Sequence, residues 1–367
     1  MSPPRKTPLH SVHEELGATF TEFAGWHMPL RYTGDTAEHN AVRESAGLFD
    51  LTHMGEIRIS GPQAGEALDY ALLTHASAIK VGRARYTMIC DASGGVLDDL
   101  IVYRTGEHEY MVVANAANAA VVSSELSERV RGFDAQHNDV SENYALIAVQ
   151  GPRAVDILAP LTTTNLDEVR YFAGYESRVA GCEVLLARTG YTGEDGFELF
   201  VATEDAPVVW RALSDSGADH DLRPAGLSCR DTLRLESGMP LHGHELSTEL
   251  TPFHANLGRV VKLDKPGDFV GRKALAEVAE NPPERTLVGL RGSERRAPRH
   301  GYRVLDQEGA EVGTVTSGAP SPTLGHPIAM AYVDHSVGEP GTTLQVDIRG
   351  RSAVVEVVEL PFYRRNR

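Results

Sequence analysis

Two rhythms of apolar and polar positions run along this chain, and they predict two kinds of element. From Pro62 the residues Ala64, Leu68, Ala71 and Leu72 recur at helical spacing, and proline suits a first turn because its missing donor is not needed there. Helices are also predicted over TAEHNAVRESA (residues 36–46, stopped by Gly47), from Asn115 as N-cap to about Arg131, over TEDAPVVWRALSDSG, and over GLSCRDTLRLESG, closed by Gly238. The second rhythm is strand-like. LFDLTH and EIRIS read as strands, and ARYTMICDASGGVLDDLIVYRTGEHEYMVVAN as three strands joined by two turns. YALIAVQGPRAVDILAPL gives a buried strand, a Gly-Pro corner and a helix; residues 181–202 give strand, turn, strand. Hairpins and helices alternate irregularly, which predicts an α+β fold and not a doubly wound parallel sheet. Beyond NPPER, residues 281–285, nearly every segment is short and strand-like with Gly or Pro turns, as in EVGTVTSG and TTLQVDIRG. A domain of residues 1–281 followed by a small β-barrel or sandwich of residues 282–367 is therefore expected.

Charge and composition remove several classes of function. With 367 residues there is ample chain for a core, and a net charge of −16 lacks the broadly basic footprint that nucleic acid demands. No apolar run approaches the roughly 20 residues of a membrane span. MSPPRKTPLHSVHEELG has no apolar signal core, and Cys90, Cys182 and Cys229 are too widely spaced for a disulfide framework. A cytoplasmic protein, free of nucleic acid and membrane, is expected. Phosphate-loop, dinucleotide, serine-hydrolase and zincin motifs do not occur in the sequence. LHGHEL (His242, His244, Glu245) is the one metal-like cluster, and no second His or Cys cluster matches it, so no metal is expected.

What remains is a set of acids embedded in apolar strands. In GGVLDDLIVY, Leu97, Asp99, Ile101 and Tyr103 share one face and Val96, Asp98, Leu100 and Val102 the other. A carboxylate among aliphatic side chains is costly unless it is paired, hydrogen-bonded or protonated. Glu198 stands likewise between Phe197 and Leu199; from the local pattern alone it is equally well a solvent-facing strand residue.

Taken in order, AVRESAGLFDLTHMGE, GGVLDDLIVY, VVANAANAA, AVQGPRA, RTGYTGEDGFEL, AGLSCRDTLRLESGMPLHGHELSTELTP, DFVGRKAL, GTVTSGAPSP and LPFY cover nearly the whole chain. Together they resemble the aminomethyltransferase (T-protein) of the glycine cleavage system. The resemblance implies two intertwined α+β portions around a central folate cavity, followed by a C-terminal β-barrel. It implies transfer of the aminomethyl group from the dihydrolipoyl arm of lipoylated H-protein to tetrahydrofolate, releasing ammonia and giving methylenetetrahydrofolate. The expected partners are H-protein and tetrahydrofolate as co-substrate, with the chain a monomer.

Residue by residue, the resemblance makes Glu198 the carboxylate that accepts the paired donors of the pterin, and Arg230 a fixed fork of donors at the folate. It aims Asp99 at the folate as the catalytic carboxylate, which would steady an iminium-like carbon, and leaves Asp98 a structural partner. Met54, Tyr86, Asn115, Tyr171 and Tyr191 match or adjoin positions lining the cavity; simple core packing is the alternative for all five, and for Met54 and Tyr171 the two readings stand level. Tyr363 or Arg364 would meet the folate tail or the lipoyl entrance. The sequence departs from the family pattern at His242, where Tyr is usual, at Arg259, where Trp is frequent, and at His254, where an acid is common. Two other readings share the scaffold: a folate-dependent demethylase acting on a free small substrate, and a non-catalytic folate-binding module.

Overall fold

The structure is a computed structural model and describes residues 3–294 and 296–365. The chain divides into two compact units, each discontinuous in sequence: one holds residues up to Ile89, Asp98–Arg230 and Lys265–Phe269, the other Cys90–Leu97, Asp231–Asp264 and Val270 onward.

The first unit opens with a small hairpin, β1 (Thr19–Phe23) and β2 (Trp26–Arg31). It then builds two larger sheets. One contains β3 (Gly47–Asp50), β9 (Tyr144–Gln150), β10 (Gly174–Val179), β11 (Cys182–Ala187), β12 (Gly196–Ala202) and the two-residue β13 (Arg223–Pro224), in the order β10-β11-β12-β9-β3-β13. Only β13 against β3 is parallel there. The other contains β4 (Gly55–Ser60), β5 (Arg83–Cys90), β6 (Val96–Gly106), β7 (Glu109–Ala114) and β8 (Gln136–Asp139), in the order β5-β6-β7-β4-β8.

Period-two patterning decides which side chains enter which layer. On β9 and β12, Ala145, Ile147, Val149, Phe197, Leu199 and Val201 join Trp210, Val209 and Leu213 of the helix Ala206–Ser216 in one buried core. Glu198 and Phe200 are thereby turned to the opposite face. On the other sheet, the helices Ala64–Ala71 and Ala119–Arg129 lie against β7 and β4, and their Leu68, Val122 and Leu126 are fully buried. The face of β6 bearing Asp99, Ile101 and Tyr103 is the one away from Leu100 and Val102. Tyr103 meets Phe200 edge-on at 5.7 Å, so the two acid-bearing faces look toward each other across one layer.

The helix expected from Asn115 begins instead at Ala119, with Asn118 at its N-cap position. Asn115 is drawn away by acids on the neighbouring strand, as described below. The other elements fall close to their expected places: the helix after Pro62 spans Ala64–Ala71 behind a Pro62–Gln63 turn, and GLSCRDTLRLESG forms the helix Leu227–Glu236, with Gly238 at φ +62° just beyond it.

In the second unit β14 (Arg285–Gly292), β15 (Arg303–Leu305), β16 (Glu311–Pro320), β17 (Pro327–Asp334), β18 (Thr343–Asp347) and β19 (Ser352–Val358) close into an antiparallel barrel, order β14-β17-β16-β15-β18-β19 with β19 returning to β14. Leu290, Val304, Val315, Ala331, Val333, Val346 and Val355 alternate inward to fill it. A register shift between Val315 and Ser317 bends β16 on its way round. Among the described residues no helix is long and apolar enough to cross a membrane.

Candidate active site

The two aspartates of GGVLDDLIVY have separate surroundings. Asp98 is fully buried and accepts from the backbone N–H of Asn115 at 2.9 Å, from the Asn115 amide at 2.9 Å and from the Asn118 amide at 2.7 Å. Burial still pushes its carboxyl up to about 6, against the pull of those donors. Asp98 thus ties the end of β7 and the start of the following helix to β6. Asp99 is partly buried and accepts from the Tyr86 hydroxyl at 3.1 Å (Oδ2) and from the Asn115 amide at 2.9 Å (Oδ1). Burial, with the Asp99 charge next, pushes the Tyr86 phenol well up, so Tyr86 stays a donor. Asn115 therefore bridges both acids from the neighbouring strand, and this is why it caps no helix.

Glu198 lies on the facing sheet, 7 % exposed, which removes the reading of it as a solvent-facing strand residue. The Thr189 hydroxyl donates to its Oε2 at 2.5 Å and receives in turn from the Tyr103 hydroxyl at 2.9 Å, giving a buried line Tyr103 to Thr189 to Glu198. Burial raises the Glu198 carboxyl; the Thr189 bond and the Arg230 cation oppose it. Arg230 stands over the Tyr191 ring, its guanidinium carbon 4.8 Å from the centroid. Burial lowers the Arg230 guanidinium and Glu198 opposes that shift, so the two charges sustain each other.

The turn GYTGEDG is held from outside. Gln150 donates from Nε2 to the Thr189 carbonyl at 3.0 Å and accepts from the Thr192 hydroxyl at 3.0 Å. A Cβ at Gly190 or Gly196 would collide with the Gln150 side chain, so both glycines are required by this close approach. Arg43 donates to the Thr192 carbonyl at 2.7 Å and to Glu194 at 2.8 Å, with both side chains of that ion pair nearly buried.

Of the residues expected at the site, hydrogen bonds join Tyr86, Asp99 and Asn115, while charge and ring contact join Tyr191, Glu198 and Arg230. Met54 is partly buried on the turn between β3 and β4. Since Gly55 pairs with Ala114, continuing that register sets Met54 opposite Asn115 and so in the same row as Asp99. Tyr171 is 47 % exposed, with Phe172 edge-on to it at 4.9 Å, and lies near enough to act on the Tyr103 phenol. His242 and Arg364 belong to the second unit. There His242 donates from Nε2 to the Val96 carbonyl at 3.0 Å, and Arg364 is exposed. The remainder of LHGHEL disperses: His244 bonds the Ser317 hydroxyl at 3.1 Å, and Glu245 accepts from Arg234 at 2.9 Å.

Sequence reading passed over Tyr103, Thr189, Gln150, Arg43 and Asn118. The signal for Tyr103 was present, because it shares the Asp99 face at period two. Gln150, Arg43 and Asn118 act across long sequence separations that local patterning does not carry.

Buried and half-buried carboxylates, a guanidinium and flanking aromatic rings form a donor set suited to a polar, flat heterocycle with an oriented hydrogen-bonding edge. Comparison with known proteins agrees. Residues 9–265 match the GCVT N-terminal domain and residues 285–364 the glycine cleavage T-protein C-terminal barrel domain. The chain is 78 % identical over 366 residues to an aminomethyltransferase of Saccharopolyspora erythraea, covering 100 % of both chains. It is 61 % identical over 368 residues to an aminomethyltransferase of Streptomyces avermitilis, covering 99 % of each. The crystal structure of glycine cleavage system aminomethyltransferase T from Bartonella henselae matches with a TM-score of 0.92 at 38 % identity, over 98 % of each chain. Sequence, sheets and barrel thus agree over almost the full length, and the chain belongs to the glycine cleavage T-protein family.

Proposed function

We propose that Asp99 is the catalytic carboxylate of the aminomethyl transfer this family performs, with Glu198 and Arg230 holding the folate. The donor is the aminomethylated dihydrolipoyl arm of H-protein, and the acceptor is tetrahydrofolate, whose two N–H groups exchange their protons for the one-carbon unit. In balance, the carbon leaves sulfur and nitrogen, and the two protons depart with the free dithiol and with ammonia. No enzyme nucleophile is required, in keeping with the burial of Cys90 and Cys229.

The observation that supports this best is the pairing of Asp99 with Tyr86 and Asn115 on the face that looks toward Glu198. Two donors fix the direction of the Asp99 oxygens, as a group must be fixed that stabilises developing positive charge and guides a proton. The Tyr103 and Thr189 hydroxyls aim Glu198 in the same way, and Arg230 keeps its charge favourable. Tyr191, Met54 and Tyr171 are the residues taken to line the ring planes. The same reading takes the chain as a cytoplasmic monomer that needs no metal ion, divided at residue 282 into a folate-binding part and a barrel.

Two substitutions test it. Asp99→Asn is expected to keep tetrahydrofolate affinity by titration calorimetry and to lose turnover by about 10² to 10⁴. Glu198→Ala is expected to weaken folate binding itself. Unchanged turnover in the first or unchanged affinity in the second removes that residue from the site. Equal rates from a small donor with and without lipoylated H-protein would replace the transferase by a demethylase.

A further inference from the structure

The helix Asp35–Glu44 reaches both partners of the Arg230–Tyr191 stack, each through a different side chain. Arg43 holds the turn that carries Tyr191, through the Thr192 carbonyl and Glu194. Glu38 holds the other partner. It is fully buried and accepts at both carboxyl oxygens. Its Oε1 accepts from three successive backbone N–H groups, those of Tyr32, Thr33 and Gly34, at 2.7, 2.9 and 3.0 Å. Its Oε2 accepts from the Gly226 N–H at 2.9 Å, 188 residues away in sequence. Burying a carboxylate is costly, and these four backbone donors are what offset the cost.

Gly226 stands just before the helix Leu227–Glu236, and the Arg230 N–H bonds back to its carbonyl at 3.2 Å. The chain arrives there from the short strand β13, after which the Leu48 carbonyl takes the Ala225 N–H at 2.9 Å. Gly226 therefore offers the first N–H that the sheet does not use, at a helix end where such donors lack an intrahelical partner. Glu38 takes it, and a negative charge suits that end of a helix. The fit is close on another side as well: a Cβ at Gly226 would collide with the backbone of Leu30 and Arg31, so the residue must be glycine. We propose that Glu38 is a positioning residue of the folate site: by fixing Gly226 it sets the direction in which the helix leaves the sheet, and so the place of the Arg230 guanidinium over the Tyr191 ring. Glu38 itself touches no ligand. Its role rests on the reading of Arg230 as a residue that holds folate, and consists in aiming that residue.

A double-mutant cycle on the full chain, with tetrahydrofolate affinity measured by titration calorimetry, tests this. In Glu38→Gln the amide oxygen can still accept from Tyr32, Thr33 and Gly34, while the amide nitrogen, itself a donor, faces the Gly226 N–H. Glu38→Gln is expected to weaken binding about tenfold in the wild-type background. In an Arg230→Met background, where the group it aims is already gone, the same substitution should change affinity by less than about twofold. A general loosening of the site would weaken binding in both backgrounds, through Glu198 and Tyr191. Equal losses in the two, or no loss in the first, overturn the proposal. If Glu38→Gln does not fold, Glu38→Asp replaces it under the same criteria, since a side chain one methylene shorter cannot bridge Gly226 and the segment from Tyr32 to Gly34 at once. An Arg230→Met protein that binds folate as wild type does refutes the folate role of Arg230 and this role with it; a loss in Arg230→Met with none in Glu38→Gln refutes the positioning role alone.

Discussion

Tyr86 donates its hydroxyl proton to Asp99 across adjacent strands at 3.1 Å, and burial prevents Tyr86 from ionising to become an acceptor. The direction of that bond fixes one carboxylate oxygen of Asp99 while leaving the charge in place. Tyr86→Phe deletes a single bond to a charged group, which typically contributes about 1.5–3 kcal/mol. Turnover is expected to fall about tenfold, with a much smaller change in folate affinity. Steady-state kinetics of the single variants and of Tyr86→Phe combined with Asp99→Asn check this: the double variant should be no slower than Asp99→Asn alone.

Glu56 lies on β4 two residues beyond Met54, 1 % exposed, with neither carboxyl oxygen partnered among the described residues. Burial, and after it the Asp139 charge, pushes its carboxyl well up. A folded value raised above the unfolded one means that its favourable contribution is complete below about pH 4.5 and is lost as pH rises toward the folded value. Glu56→Gln is expected to leave the melting temperature nearly unchanged near pH 4 and to raise it increasingly as pH climbs above 4.5. A constant difference across that range would contradict the assignment.

His53 has the opposite sign. Its folded value is lowered from 6.5 to about 4, so its contribution is complete above pH 6.5 and disappears as pH falls through about 4. Relative to His53→Asn, the wild type should lose roughly 3 kcal/mol of stability over that interval. Denaturant titrations of both proteins at matched pH measure the difference directly, and parallel curves would show that His53 does not titrate as a buried neutral base.

In the second unit Arg234 and Glu245 form an ion pair at 2.9 Å with both side chains buried, and Arg234 also donates to Ser317 at 2.7 Å. Removing one partner of such a pair leaves a charge without water. Arg234→Met is expected to destabilise by about 3–5 kcal/mol in chemical denaturation, and adding Glu245→Leu should recover a large part of that loss. A loss below about 1 kcal/mol in Arg234→Met would place the pair with ordinary surface ion pairs.

The local layer of this fold was legible because each element's period matched its layer. Val96–Gly106 read as one strand with an acid on each face, and the structure gives those acids different surroundings. The barrel was legible from short strands separated by Gly and Pro turns. The failures share a physical origin. Asn115 has the composition of a cap, yet two carboxylates on the adjacent strand offer its amide and N–H more than a helix end does. The burial of Glu198 depends on a sheet reached through Tyr103, 95 residues earlier in the chain. Nothing near His53 in sequence betrays that its Nδ1 is buried without a partner among the described residues, because burial is set by the packed fold and not by the local pattern.

Since β19 returns to β14, every strand of the C-terminal barrel has neighbours on both sides, and its backbone donors and acceptors are committed to one another. Among the described residues, the stretches paired on both sides offer no free edge on which an extended peptide, or the strand of a second copy, could continue the ladder. Recognition by this part of the molecule must therefore be written in side chains and loops, where single residues can change without disturbing the frame that carries them.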